Sequence, residues 1–261
     1  MSDLYKLLEE GEMKKALELV NEDEFAWEDL MGLLEDSDES IQRSAFEIVS
    51  KSGDNPRLLD ALPMLISGLD SDEEIICRYA AEALYYLGSD ASEATESLSR
   101  LLQHDDDEVR RAVARVFSQM GSSALEVKEP LIEALKDSDE VVRGEIALAL
   151  ANLGNEVPEA IPTLIALLVD EEEFIHDGKG IEVRIAAQTA LGQIGQDAVP
   201  GLLEAMRADR PEQRAMAVST LASIESLPEG AVKDIEEAVQ DPDSMVQAAA
   251  KKALKQMKVK S

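Results

Sequence analysis

The side chains suited to catalysis or metal binding are two histidines, one cysteine and several runs of carboxylates. His104 and His176 fall in turns far apart in sequence, and neither has a second His or Cys at the spacing of a metal site. Cys77 is alone, which excludes an internal disulfide and a thiolate cluster; its helical setting suggests a small buried residue. No Gly-rich loop follows a strand, and no nucleophile elbow is present. The run Asp105-Asp106-Asp107-Glu108 could hold a divalent cation weakly, but such runs usually form a solvated turn and an N-cap. No catalytic residue, metal site or cofactor is therefore assigned. What remains are arginines and tyrosines, residue types that anchor binding surfaces.

Charge narrows the class of partner. Asp and Glu number 55 against 25 Lys and Arg, a formal charge of −30. Such a surface repels phosphates, which disfavours nucleic acids and anionic membranes. It also strains the compact state unless salt screens it, over about 10 Å at 0.1 M and about 3 Å at 1 M. A halophilic archaeal host would account for the excess; an ordinary acidic cytosolic protein is the competing reading. No run is apolar enough to span a bilayer, and Met1-Ser2-Asp3-Leu4 lacks the basic start of a secretory signal. The expected location is cytoplasmic.

The elements that position these residues recur. An aliphatic residue, usually followed by Arg, leads into a small-residue run and then a Leu or Met near a Gly. The anchors are 41, 76, 109, 142, 183, 213 and 246, spaced by 35, 33, 33, 41, 30 and 33 residues. Periods of this size mean stacked supersecondary units rather than a globule around one core. Each unit reads as two helices. In the fourth, an apolar stripe over Ala124 to Lys136 leads through Asp137-Ser138-Asp139 into a second helix. Asp139 is its expected N-cap, and Gly154 ends it. Residues 1–23 read as a helical cap, residues 24–258 as the repeat array. Lys251, Lys252, Lys255, Lys258 and Lys260 fit the C-terminal end of a last helix, complementing its dipole.

This pattern resembles HEAT repeats, in particular the short variety named for phycobilisome lyases. Ile185 to Gly195, reading Ile-Ala-Ala-Gln-Thr-Ala-Leu-Gly-Gln-Ile-Gly, is the nearest copy. The resemblance implies an all-α, right-handed α-solenoid of about seven two-helix repeats. It also implies a ladder of Asp and Arg between neighbouring repeats, carried here by Asp106/Arg110 and Asp139/Arg143, and by Arg184 and Arg214 without a matching Asp. Gln42, Cys77 and Gln247 stand at the Arg position in three repeats, leaving that ladder incomplete. Deoxyhypusine hydroxylases share the architecture but use His-Glu pairs to hold iron; here Asp105 and Asp177 follow the two histidines. Nothing local signals a tetrapyrrole site either.

In such solenoids the second helices line the face where partners dock. Its outward positions, read from the pattern, include Arg43, Lys51, Arg78, Arg111, Arg115 and Lys252, six bases, against Glu47, Glu82 and Glu145, three acids. The stripe thus inverts the sign of the chain. Arg78, Tyr79, Tyr86, Arg111 and Arg115 form a basic-aromatic group, followed by the apolar Leu148, Ile185 and Met216. The competing reading is that some of these pack between repeats and that the bases neutralise nearby acids. The longest spacing holds an insertion, about residues 170–181, in which Phe174, Ile175 and His176 sit amid acids. It reads as a long turn serving either as a hook for a partner or as a loop whose Phe174 folds back on its own repeat. The expected function is a non-catalytic scaffold or adaptor docking an acidic or mixed acidic-apolar protein segment. The alternative is a lyase-like or oxidoreductase-associated protein presenting a cofactor or substrate.

Overall fold

The computed structural model describes residues 2–53 and 55–260, excluding the side chains of residues 258–260. Of the five lysines expected at the C-terminal end of the last helix, the side chains of Lys258 and Lys260 lie outside the described residues. Two compact units divide at Ser123 and Ala124. The first holds α1 (Asp3–Glu9), α2 (Met13–Glu22), α3 (Glu24–Leu33), α4 (Glu39–Lys51), α5 (Leu62–Leu69), α6 (Glu74–Leu87), α7 (Thr95–Leu101) and α8 (Asp107–Met120). The second holds α9 (Lys128–Ala134), α10 (Glu140–Leu153), α11 (Ile161–Leu167), α12 (Val183–Ile194), α13 (Val199–Ala205), α14 (Pro211–Leu221), α15 (Glu229–Glu237) and α16 (Ser244–Lys260). Every anchor from 41 to 246 lies in the first turn of a second helix, α4 through α16 by even numbers.

Local chemistry explains where the helices begin. In three Asp-x-Asp turns the two carboxylates do different work. In Asp137-Ser138-Asp139 the second, Asp139, accepts from the backbone N–H groups of Val141 and Val142 and caps α10. The first, Asp137, accepts from the N–H of Asp139 and fixes the turn itself. Asp36/Asp38 and Asp241/Asp243 repeat the arrangement. Gly154 follows α10 at φ 55°, where a side chain would be strained. Pro162, Pro200 and Pro211 lie at the first or second position of α11, α13 and α14, where no backbone donor is lost.

Burial follows the 3.6-residue period. In α8, Val109, Val113, Val116, Phe117 and Met120 are fully buried, while Asp107, Glu108 and Arg115 face water. Thin layers need little aromatic bulk, and the interior is chiefly Ala, Leu, Val and Ile. In the first unit, α1 and α2 bury Leu4, Leu8, Ala16 and Val20 and pack on α3 and α4.

The insertion corrects the expectation of a long turn without strands. Residues Glu173–His176 (β1) and Lys179–Glu182 (β2) form an antiparallel hairpin, with Phe174 opposite Ile181 and His176 opposite Lys179. Its two-residue turn, Asp177-Gly178, has φ values of 48° and 74°. Positive φ at both positions suits the right-handed twist of a tight hairpin, and Asp-Gly is a preferred pair for it. That signal stood in the sequence, overshadowed by the surrounding acids.

Candidate functional site

The signature arginines do two jobs. Arg143 donates through Nη1 to the carbonyls of Asp137 and Ser138 in its own turn, at 2.9 Å each. Its Nε reaches Asp170 of the following turn at 2.8 Å, and Nη2 pairs with Glu172. Arg214 repeats this: Nη1 binds the carbonyls of Ala208 and Asp209, while Nε and Nη2 grip both oxygens of Asp241 at 2.9 and 2.8 Å. The carboxylate that receives the arginine is therefore the first Asp of the next turn. Of the two acids that the resemblance implied for this ladder, Asp139 caps α10, and Asp106 caps α8 by accepting from the N–H of Val109. Arg110 holds the carbonyls of His104 and Asp105. Arg184 pairs with Glu171 and Glu182 at the two ends of the hairpin, a local grip.

At the non-Arg positions only the first job survives. Gln42 donates to the carbonyl of Leu34, Gln247 to that of Asp241, and the Cys77 thiol lies 3.1 Å from that of Ser71. Burial raises the pKa of Cys77, keeping it a neutral thiol. In the first unit other side chains bridge the repeats: Arg43 places Nε and Nη2 on Glu73 at 3.1 and 2.8 Å, and Arg100 meets Asp70 at 3.0 Å.

The basic-aromatic group lies on α6 and α8 of the first unit. The guanidinium of Arg78 stands 5.1 Å from the ring centre of Tyr79, within cation–π range, and 3.6 Å from Glu82. Arg111 is tied to Glu108 and Asp107 of its own helix at 2.5 and 3.1 Å. Arg115 is exposed and forms no ion pair among the described residues. Tyr86 is 47% exposed and meets Tyr85 edge to face at 5.3 Å. Burial raises the pKa of Glu82, with the charges of Arg78 and Arg115 opposing that rise.

In the second unit the hairpin occupies the second-helix face of α10. Side chains two apart on a strand share one side, and Glu172, Phe174 and His176 meet three consecutive residues of α10. Glu172 pairs with Arg143; the Phe174 ring covers Gly144; Nδ1 of His176 is 2.9 Å from Oε2 of Glu145. A Cβ on Gly144 would fall 2.2–2.5 Å from the ring, so only glycine admits Phe174. Phe174 is 2% and Glu145 1% exposed, whereas Ile175 points away and is 55% exposed. Glu145, expected to face outward, is buried, as are Ala112, Gly144, Ala186 and Ala215 of the second helices. Small side chains there let neighbouring helices approach, and the hairpin covers the α10 pair. Ile185 is 42% exposed, while Leu148 and Met216 are half-buried.

One open groove was not singled out by pattern reading, although Lys252 stood among the outward positions. It lies on α12, α14 and α16, measures about 710 Å³, and is floored by Ala222 and Ala253 with Ser219 and Ala249 beside them. Lys252 and Lys255 stand exposed at its rim. Among the described residues no group of three or more His, Cys, Asp or Glu is placed to hold a metal ion, and no helix is long and apolar enough to cross a membrane.

The sequence profile of HEAT repeats matches residues 62–127, 95–176 and 173–255. The chain belongs to the HEAT-repeat family. Its fold is an all-α repeat solenoid, similar to several solved structures. The archaeal HEAT-like repeats protein from Thermococcus onnurineus NA1 is 18% identical, covering 99% of this chain and 98% of that one, at a TM-score of 0.59. Yeast importin-β (Kap95p) matches at 15% identity and TM-score 0.67, over 88% of this chain but only 36% of its own length. A designed armadillo repeat protein, solved in complex with the peptide (KR)4, matches at 21% identity and TM-score 0.58, over 87% and 98% of the two chains. No curated protein matches significantly.

Proposed function

We propose that this HEAT-repeat protein is a non-catalytic scaffold that docks an acidic or mixed acidic-apolar protein segment on its second-helix faces. The observation that carries the reading is Arg115: an exposed cation without an ion-pair partner among the described residues, on a chain of charge −30. Its charge reaches Glu82 only at a distance, and a partner carboxylate would supply a direct pair. Exposed Tyr86 on the neighbouring α6 adds the aromatic area typical of binding anchors. The short phycobilisome-lyase-like subtype and a cytoplasmic setting belong to this proposal. The resemblance to a designed armadillo protein solved with a basic peptide supports segment binding in general, with the sign of the ligand reversed here.

Arg111 is held by its own acids, so reversing its charge would place three acids in one turn and disturb the helix itself. Arg115→Glu combined with Tyr86→Ala is the cleaner probe, since both side chains are exposed. Affinity purification from the host at its own salt concentration is expected to lose a specific partner with this variant while the thermal melt is unchanged. Undiminished recovery of every wild-type partner, or a bound chromophore or metal in the purified protein, would overturn the reading.

A further inference from the structure

The groove on α12, α14 and α16 combines three properties that the repeat pattern alone does not require. Its volume lies within the roughly 300–1,000 Å³ of ligand clefts. Its floor is alanine, and its rim carries Lys252 and Lys255, neither ion-paired among the described residues. Charge around it is segregated. In sequence, α12, α14 and α16 carry seven bases and a single acid, Glu212; of the bases, Arg184 and Arg214 are already held by Glu171, Glu182 and Asp241, whereas Lys252 and Lys255 line the groove. The first helices of the same repeats, α11, α13 and α15, contain five acids and one base. Dipole compensation accounts for lysines in the last turn, 257–260, but Lys252 and Lys255 precede it.

We propose that this groove binds an extended acidic protein segment of the pattern acid-x-acid-x-aliphatic, a reading that rests on the scaffold function above and adds a second contact site to it. Lys252 and Lys255, three apart on a helix, have Cβ atoms about 5–6 Å apart. Carboxylates two apart on an extended chain repeat every ~6.6 Å, so one pair of acids meets both lysines. The next residue on that side falls on the alanine floor, which accepts an aliphatic side chain. The hairpin shows the same mode within the chain: Glu172 meets Arg143, and Phe174, two residues on, fills the gap over Gly144. A nucleic acid fits less well, because the acidic remainder of the chain repels its phosphates and no aromatic ring lines the groove.

The test is fluorescence anisotropy with the labelled probe peptide Glu-Ser-Glu-Ser-Leu-Ser-Leu, titrated with the full chain. Lys252→Glu/Lys255→Glu is expected to weaken binding at least tenfold, and Ala249→Trp, which fills the groove with both lysines intact, by a similar factor. Arg115→Glu/Tyr86→Ala is expected to leave this peptide's affinity within twofold. Both lysines are exposed, so circular dichroism of the double variant should match the wild type. Undiminished peptide binding by the folded lysine variant overturns the proposal. So does a single-stranded oligonucleotide that binds more tightly than the peptide, or a lysine-dependent dimer in light scattering without peptide binding. Loss of the native partner with Arg115→Glu/Tyr86→Ala, alongside such a failure, would leave the scaffold reading standing and this groove refuted.

Discussion

The same side of the second helices meets two fates within one unit. On α10 it is covered by the chain's own hairpin, which seats Phe174 over Gly144 and pairs His176 with Glu145. On α14 and α16 it lies open, floored by Ala222 and Ala253 and edged by lysines. The contrast teaches that the repeat supplies a receptive face, and that local residues decide what fills it. Arginine and glycine beside a buried acid take a strand from the chain itself; alanines and lysines without ion pairs among the described residues leave the same side open.

Substitutions can separate the two. The largest effect is expected from Arg143→Met, which leaves Asp170 without its arginine and frees the base of the hairpin. The pair is 10% and 15% exposed, so a loss of about 3 kcal/mol is expected in denaturant melting. Arg214→Met removes the equivalent grip where no hairpin is attached, and about 2 kcal/mol is expected. The excess of the first loss over the second measures what the hairpin adds; equal losses would show that it adds nothing.

Arg214 also gives a pH signature. Its hydrogen bonds lower the pKa of Asp241. A carboxyl lowered on folding stabilises the fold above its unfolded pKa, near 3.9, and loses that contribution as pH falls through the lowered value. The stability difference between wild type and Arg214→Met should therefore be flat above about pH 5 and shrink below about pH 4. A constant difference across that range would contradict the pairing.

Gly144→Ala is a sharper, smaller probe. Alanine favours the helix by about 1 kcal/mol over glycine, but its Cβ collides with Phe174, a crowding cost of about 1–3 kcal/mol. A net loss of about 1 kcal/mol is expected, with faster hydrogen exchange over residues 173–182. A rise in Tm would mean that the ring is not seated there. Smallest is Gln247→Ala, losing one hydrogen bond to the Asp241 carbonyl for about 0.5–1 kcal/mol.

The repeat was legible in sequence because its signals are local and periodic: the anchors, Asp139 as a cap, Gly154 as a stop. Contacts between distant turns were not. Arg143 and Asp170 are 27 residues apart, and nothing in the signature says whether an arginine bonds the Asp before it or the one after. Burial of Glu145 was also hidden, because it depends on the strand laid over it. The basic-aromatic group was legible as residue types, but its pairing was not: Arg111 and Arg115 differ in which acids lie within reach. Lys255 escaped because it falls between the positions assigned to the outward face.

The hairpin carries its own backbone hydrogen bonding. Its ladder is internal, its turn is set by Asp177-Gly178, and it is seated on the triplet Arg143-Gly144-Glu145 of the helix beneath and held at its base by Arg184 of the helix that follows. It is thus a portable part: moved between two other repeats of this chain, with that triplet written into the preceding second helix and an arginine at the start of the following one, it should find the same seat.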